Sequence, residues 1–162
     1  MRRIVSILAI LAIVSAARQT ATAQDVSIQG AWVLTATADT AGNTNPELLP
    51  GLFVFTSTHY SMMFATGDAP RQRYTAETPT DAEMIAAYKS FVANSGRYEV
   101  DGDKVTMRAY LAKNPNYMGD WPDNAYSASV HLAGDTMHWT WDNGSMFTFQ
   151  RSEGTPVPWE TD

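Results

Sequence analysis

Apolar and polar side chains alternate along the stretch from Val130 to Phe149, which reads VHLAGDTMHWTWDNGSMFTF. The alternation is interrupted twice, by Gly134-Asp135 and by Asp142-Asn143-Gly144, and both interruptions favour tight hairpin loops. Successive side chains of a strand point to opposite faces of its sheet. The stretch therefore predicts three antiparallel strands with one buried face and one solvated face.

The turn chemistry also predicts the register of these two hairpins. A two-residue loop pairs His131 with His138, and a three-residue loop with Gly144 in the left-handed region pairs Trp139 with Phe147. A slip of one residue in the second hairpin would turn the phenylalanines of the last strand to solvent. We therefore expect the tryptophans inside and the histidines outside. The predicted inner face consists of Val130, Leu132, Met137, Trp139, Trp141, Phe147 and Phe149.

Similar short runs, separated by Gly, Asn and Asp, occur along the rest of the chain and predict an all-β fold. The predicted strands are Gly30–Ala38, Gly51–Thr56, Tyr60–Thr66, Gln72–Ala76, Arg97–Val100, Lys104–Leu111, Tyr126–Leu132, Thr136–Trp141 and Ser145–Arg151. With 162 residues, 44% of them hydrophobic, the chain is long enough for one domain with its own core. We predict an antiparallel up-and-down β-barrel of about eight or nine strands with one amphipathic α-helix.

The helix is predicted between Pro79 and Gly96, where apolar residues recur at helical spacing. Thr80 and Glu83 form a capping-box pattern, in which each side chain satisfies a backbone amide of the first turn. Asn94-Ser95-Gly96 is expected to end the helix, since Gly tolerates the left-handed turn. We expect the apolar stripe of this helix to pack against the sheet or over a barrel mouth. The stripe consists of Met84, Ala87, Tyr88, Phe91 and Val92.

The first 23 residues have the three-part layout of a secretory signal peptide. A basic start, Met1-Arg2-Arg3, precedes an apolar run from Ile4 to Ala17 and the small residues Ala21-Thr22-Ala23. The run of 14 residues is shorter than the roughly 20 that cross a bilayer, so we expect cleavage near Ala23 rather than stable membrane insertion. The expected organisation is a signal peptide at 1–23, a lead-in at 24–29, the barrel domain at 30–151 and a Pro-containing tail at 152–162.

Charge and cysteine content narrow the expected partners and location. Loss of Arg2, Arg3 and Arg18 with the signal peptide reduces Lys plus Arg from 11 to 8, against 17 Asp plus Glu, which leaves a net charge of −9. Such a surface repels nucleic acid and anionic membranes. The chain has no cysteine, so the exported protein, whether periplasmic or secreted, depends on burial without disulfides.

The inward face of the predicted barrel supplies the candidate ligand-binding residues. Tyr and Trp carry a polar group and Met adapts its shape, so the same set suits either a packed core or an apolar cavity. The candidates are Phe53, Phe55, Tyr60, Met62, Phe64, Tyr98, Met107, Trp139 and Trp141. Trp32 and Arg151, on the first and last strands, are expected to stack and close one end of the barrel structurally. The connection 113–119 is interpreted as either a cavity rim or a set of turn formers.

No motif assigns catalysis, a metal or a cofactor. The chain has no nucleophile elbow, phosphate-binding loop, zinc spacing or dinucleotide fingerprint. His131 and His138 are neighbours across two strands, but no motif supplies further ligands, so we interpret them as surface histidines. His59 is expected in a turn, because His accepts positive φ better than most residues. We therefore predict no catalytic residue, no metal site and no cofactor.

Four short segments of the predicted barrel carry a family resemblance. Gly30-Ala31-Trp32 resembles the G-x-W signature of lipocalin-type barrels, and GLFVFTSTHYSMMFA resembles a G-x-L-x-Y-T-x-x-G-x-M-S segment. SGRYEVDGDKVTM and NPNYMG look like the strand pair and loop that follow it. Together they resemble the bacterial and fungal lipocalin-like domain family over residues 30–151, which implies a closed or half-open β-barrel with a helix. His59 stands where the family often has Gly, and Met107-Arg108 where a His is common.

Three functions remain open at this point. The first is an exported protein that holds a small hydrophobic or amphipathic molecule in the barrel interior without turnover. The second is a cyclase- or isomerase-type enzyme, in which His59 or Tyr60 moves protons within such a cavity. The third is a filled barrel that acts as a protein-interaction module and exposes an apolar patch. Filled and hollow barrels share one alternation pattern, so the pattern does not separate them.

Overall fold

The computed structural model describes residues 27–45, 50–67, 69–120 and 123–152. The strands are β1 (Gly30–Ala38), β2 (Gly51–Phe55), β3 (His59–Ala65), β4 (Phe91–Asp101), β5 (Lys104–Ala112), β6 (Ala125–Ala133), β7 (Thr136–Trp141) and β8 (Met146–Arg151). An α-helix, α1 (Asp81–Lys89), lies between β3 and β4, and a short 3-10 helix, η1 (Pro115–Met118), lies between β5 and β6. The predicted signal peptide and nearly all of the predicted tail lie outside the described residues. Among the described residues, no helix is long and apolar enough to cross a membrane.

The eight strands pair with their neighbours in chain order, and β8 pairs with β1 to close the barrel. All these pairs are antiparallel. The predicted up-and-down barrel with one α-helix is therefore confirmed. Short loops between alternating runs favour this meander, because consecutive antiparallel strands need only a tight turn to pair.

The predicted registers of the last two hairpins are also confirmed. His131 pairs with His138, and Trp139 pairs with Phe147. Gly144 has a φ of 86°, in the left-handed region expected for the loop before β8. The local turn chemistry and the burial of large side chains agree on a single register here.

The predicted ninth strand, Gln72–Ala76, is wrong, because this segment belongs to the connection between β3 and α1. Thr75 shows the physical reason. Its backbone amide and its hydroxyl both donate to Oε1 of Glu83, at 3.0 and 2.8 Å. The segment therefore serves the start of the helix, and the barrel closes with eight strands without it.

The predicted start of α1 is correct, but its predicted end is wrong. Thr80 Oγ1 accepts from the backbone amide of Glu83, and Glu83 Oε2 accepts from that of Thr80, which completes the capping box. The helix ends at Lys89, and β4 begins at Phe91. Asn94-Ser95-Gly96 lies inside β4, where it pairs with both β3 and β5. Two neighbouring strands satisfy this backbone, which overrides the helical spacing of the sequence.

The apolar stripe of α1 does not pack on the barrel as expected. No residue of the helix is buried, and Met84 and Tyr88 are 45% and 50% exposed. The helix is attached by polar contacts at its C-terminal end instead. The Tyr88 hydroxyl donates to the carbonyl of Lys113 at 2.8 Å, and the Lys113 ammonium donates to the carbonyls of Tyr88 and Phe91. The ammonium also lies 4.3 Å from the centre of the Tyr88 ring.

The meander gives the barrel two different ends. At one end, which we call the closed end, the strands are joined by the short turns after β2, β4 and β6. At the other, which we call the open end, the connections after β1, β3, β5 and β7 begin. Antiparallel strands joined in sequence alternate their connections between the ends, so all the longer connections fall together.

Trp32 and Arg151 lie at the closed end of the barrel. They are paired residues of β1 and β8, and the guanidinium carbon lies 4.1 Å from the centre of the indole ring. Arg151 also donates to the carbonyl of Gln29 at 2.6 Å and lies 3.4 Å from a carboxylate oxygen of Asp135. The indole nitrogen of Trp32 donates to the carbonyl of Ile28 at 2.7 Å. These contacts hold the residues before β1 across this end of the barrel.

Candidate functional site

All nine predicted ligand-binding residues point into the barrel, but they differ in how much space surrounds them. Seven are buried, and the half-buried exceptions are Phe64 and Trp141. The most central ring is Phe53, whose centre lies 4.5 Å from that of Phe149 and 5.6 Å from that of Trp139. These rings pack side chain against side chain, as in a protein core. The closed half of the barrel is therefore filled at these positions.

The rings at the open end form a continuous series that remains partly exposed. Phe64 contacts Phe147 with centres 5.1 Å apart, Phe147 contacts Trp141 at 5.8 Å, and Trp141 stacks on Tyr126 at 6.5 Å. Tyr117 of η1 extends the series, 5.4 Å from Tyr126. We call these five rings the aromatic band. Because none of them is fully buried, the band offers aromatic surface to a bound molecule.

A pocket of about 430 Å³ opens beside one end of the aromatic band, and we call it the mouth pocket. Phe64 is the only one of the nine predicted residues that lines it. The apolar lining residues are Leu34, Ala38, Phe64, Ala65 and Phe147, and the polar ones include Thr37, Asp39, Asn43, Thr44 and Thr66. The lining is thus mixed apolar and polar, and the volume lies within the range of about 300–1,000 Å³ that is common for small-molecule sites.

Asp39 organises the polar rim of the mouth pocket. One carboxylate oxygen accepts from the backbone amides of Ala41 and Asn43, each at 2.9 Å, and the other accepts from the Asn43 side chain at 2.9 Å. The hydrogen bond from the Asn43 side chain, followed by those from the backbone, lowers the pKa of Asp39. The rim is thereby ordered around an ionised carboxylate.

A chain of polar groups crosses the interior next to the aromatic band. The hydroxyls of Tyr60 and Tyr126 are 2.5 Å apart, and the Tyr126 hydroxyl donates to Oδ1 of Asn94 at 2.5 Å. A hydroxyl has one proton to donate, so Tyr60 must donate to Tyr126. We call these three side chains the Tyr60–Tyr126–Asn94 chain, and its hydrogen bonds run in one direction toward Asn94.

Burial keeps both tyrosines of this chain protonated. Desolvation raises the pKa of Tyr60 to about 12, although the hydrogen bond with Tyr126 acts in the opposite direction. Burial also raises the pKa of Tyr126, and the nearby Tyr60 raises it further. A phenol with a raised pKa is a hydrogen-bond donor rather than a base near neutral pH. The two tyrosines are therefore unsuited to proton abstraction.

Comparison with known proteins identifies the family. A family model described as a lipocalin-like domain matches residues 29–150, which is most of the chain. The chain belongs to the lipocalin-like domain family. The resemblance that the sequence motifs indicated is thereby confirmed.

Two solved structures are similar to parts of this chain. A crystal structure of an uncharacterized protein from Bacteroides eggerthii is 12% identical, with a TM-score of 0.46, over 78% of this chain and 100% of that one. An NMR structure of a protein from Burkholderia xenovorans is 15% identical, with a TM-score of 0.41, over 77% of this chain and 83% of that one. Both TM-scores are below 0.5, so neither similarity bears on function. No curated protein matches the chain significantly.

The histidines of the lipocalin-like domain lie away from the mouth pocket. His131 and His138 face outward with ring centres 6.3 Å apart. Within the described residues, no three His, Asp or Glu side chains are grouped so as to hold a metal ion. His59 is the first residue of β3, directly after the turn at 56–58, and its φ is not positive. The Thr56 hydroxyl, which accepts from the His59 amide at 3.0 Å, orders this turn without a strained backbone.

Sequence reasoning missed two residues of the polar chain. Asn94 was assigned to the end of a helix, and no local signal contradicts that interpretation. Tyr126 begins a predicted strand with the same parity as Val130 and could have been found from the alternation alone. Its partner Tyr60 was among the predicted residues, but local sequence does not show that these two hydroxyls meet.

The raised pKa of Tyr60 makes stability depend on pH in the alkaline range. Unfolded Tyr60 loses its proton near pH 10, whereas the folded residue keeps it until about pH 12, so stability should fall as the pH rises through this window. Tyr60→Phe should reduce the slope, measured as the urea midpoint of unfolding at steps between pH 10 and 12. Tyr74→Phe, at an exposed position, should keep the wild-type slope. An unchanged slope in Tyr60→Phe would contradict the assignment.

Proposed function

We propose that this lipocalin-like domain binds a small amphipathic molecule at the open end of its barrel. The apolar part would lie against Leu34, Phe64 and Phe147 in the mouth pocket, and the polar part would face the rim around Asp39. The single observation that carries the proposal is the pocket of about 430 Å³ lined by both apolar and polar side chains.

The packing of the interior supports the open end as the place of binding. Rings deep in the barrel, such as Phe53, Trp139 and Phe149, are fully buried against one another. Rings at the open end, such as Phe147 and Trp141, keep part of their surface exposed. Covering that surface with an apolar ligand contributes about 25 cal/mol per Å² removed from water. We therefore narrow the expected site from the whole interior to its open half.

We also propose that binding takes place outside the cytoplasm, after removal of residues 1–23. The basic, apolar and small-residue layout of this segment supports the proposal. N-terminal sequencing of the protein from its host would test it, since a mature chain that still begins at Met1 would contradict cleavage near Ala23.

Thr37→Phe should weaken the binding of a neutral lipophilic dye, N-phenylnaphthylamine, by about tenfold or more. Thr37 lines the mouth pocket and pairs with Phe147 on the neighbouring strand, so a phenylalanine there would occupy ligand space. Phenylalanine is also well tolerated in strands. The dye's fluorescence on titration with protein gives the dissociation constant.

Thr35→Phe is the matched control for this variant. Thr35 lies two residues away on β1 but is exposed on the outer face of the barrel. The dissociation constant of the dye should therefore stay within about twofold of that of the wild type. Such a change in binding free energy is well under the 1.4 kcal/mol that corresponds to a tenfold change. Equal affinities for Thr37→Phe and wild type would contradict the mouth pocket as the site. A wild-type protein that binds no lipophilic dye would instead favour the filled barrel as an interaction module.

A further inference from the structure

Tyrosines and tryptophans aside, Asn94 is the only polar residue that is buried among those the structure describes, with 7% of its surface exposed. It lies in β4, between Met62 of β3 and Ala112 of β5. Buried amide groups are costly unless their hydrogen bonds are made, and are therefore found with partners in most proteins. Its hydrogen bonds bear directly on what the interior can hold.

The Tyr60–Tyr126–Asn94 chain determines how the Asn94 amide is oriented. Tyr126 donates to Oδ1, so the amide nitrogen Nδ2 points away from the two tyrosines. The opposite orientation would reverse both hydrogen bonds and leave the Tyr60 proton without an acceptor among the described residues. Since Tyr60 is buried, leaving its hydroxyl proton unsatisfied would be destabilising. The observed orientation is the satisfied one.

The amide nitrogen of Asn94 is left with two hydrogens to donate. Among the described residues, no hydrogen bond from Nδ2 is formed, whereas Oδ1 has its donor in Tyr126. Within the described residues, the indole nitrogen of Trp139 is also a donor without an acceptor, and it is fully buried. Trp139 contacts Trp141, which stacks on Tyr126. Both donors therefore lie next to the partly exposed aromatic band.

We infer that Asn94 Nδ2 donates a hydrogen bond to a carbonyl oxygen of the bound molecule. The inference rests on the proposed function and narrows its ligand class to apolar, ring-bearing molecules with a ketone, ester or amide carbonyl. The rings of Tyr117, Tyr126 and Trp141 give the apolar part a stacking surface beside this donor.

The electrostatics of the site favour a neutral carbonyl over a carboxylate. Asn94, Tyr60 and Tyr126 are uncharged, and the raised pKa of Tyr60 keeps it so. The Lys113 ammonium, directly after the end of β5, is engaged with the carbonyls of Tyr88 and Phe91. An anion buried beside neutral donors would lose its hydration without a compensating positive charge.

Two naphthalene dyes that differ by one propionyl group, which carries the carbonyl, test the inference. Propionyl-dimethylaminonaphthalene carries a ketone, and dimethylaminonaphthalene lacks it. Asn94→Leu should weaken the ketone dye by about fivefold, the fold-change for one neutral hydrogen bond, and should leave the parent dye within about twofold. Ser95→Leu, on the adjacent outward-facing residue of β4, should change neither dissociation constant.

The NMR signal of the Asn94 side-chain amide provides a second measurement on the wild-type protein, which keeps the test valid if Asn94→Leu fails to fold. The ketone dye should shift the two amide proton signals downfield, and the parent dye should leave them in place. If both dyes bind equally well and neither shifts these signals, the inference is overturned while the proposed function stands. If neither dye binds the wild-type protein, or Thr37→Phe leaves both affinities unchanged, the proposed function itself fails.

Discussion

Phe53→Ala is expected to lower the free energy of unfolding by about 4 kcal/mol. Phe53 is fully buried at the centre of the barrel, and its ring lies within 6.3 Å, centre to centre, of five other rings. Removing it would take away these contacts and leave a cavity that the surrounding rings are too rigid to fill. Urea denaturation followed by far-ultraviolet circular dichroism measures the loss.

Leu52→Ala is the control for Phe53→Ala. Leu52 is the preceding residue of β2, but it points outward and is 37% exposed. Its truncation should cost about 1 kcal/mol or less, because much of the side chain is already in water. Similar losses for the two variants would show that the inner face of β2 contributes no more than the outer face, and would contradict the packed core described here.

Gly96→Ala is expected to cost about 3 kcal/mol of unfolding free energy, although it adds a single methyl group. A Cβ at this position would lie 1.9 Å from the carbonyl oxygen of Arg108 and 2.8 Å from Cα of Ala109. Both are backbone atoms of β5, at the point where the pairing of β4 and β5 shifts register between Ser95 and Gly96. The strand would have to move, since no flexible side chain can give way.

Gly119→Ala provides the matched control for this substitution. Gly119 has a φ of −69°, and a Cβ there would come no nearer than 3.8 Å to another heavy atom. Its replacement should change the unfolding free energy by less than about 0.5 kcal/mol. If Gly96→Ala were equally mild in urea denaturation, the close approach of β4 and β5 at this register shift would be wrong.

Local sequence was sufficient for the hairpins at the C-terminal side of the barrel. A slip of one residue there would expose Phe147 and Phe149, and full burial of a phenylalanine side chain is worth about 1.5–3 kcal/mol. The loop Asp142-Asn143-Gly144 favours the same hairpin register independently, through its turn geometry. When side-chain burial and turn chemistry agree in this way, few alternative structures remain.

Local sequence was misleading where a strand has helical spacing. The apolar residues from Met84 to Val92 fit a single helix, and yet Val92 belongs to β4. Pairing with β3 on one side and β5 on the other satisfies the backbone of β4 from Phe91 onward. These backbone hydrogen bonds come from strands that are distant in sequence. The spacing of apolar residues within a short segment therefore does not predict them.

By itself, the sequence determined which side chains face the interior and that the sheet closes into one barrel. The face of the sheet to which a side chain points is a local property, because it depends only on whether the residue has an odd or even position along its strand. Tertiary structure alone decided that Phe53 is packed and that Phe147 borders a pocket. It also decided that Tyr60 is hydrogen-bonded to Tyr126, which in turn donates to Asn94. These features depend on how side-chain volumes from eight strands add up around one axis, and no single strand carries that information.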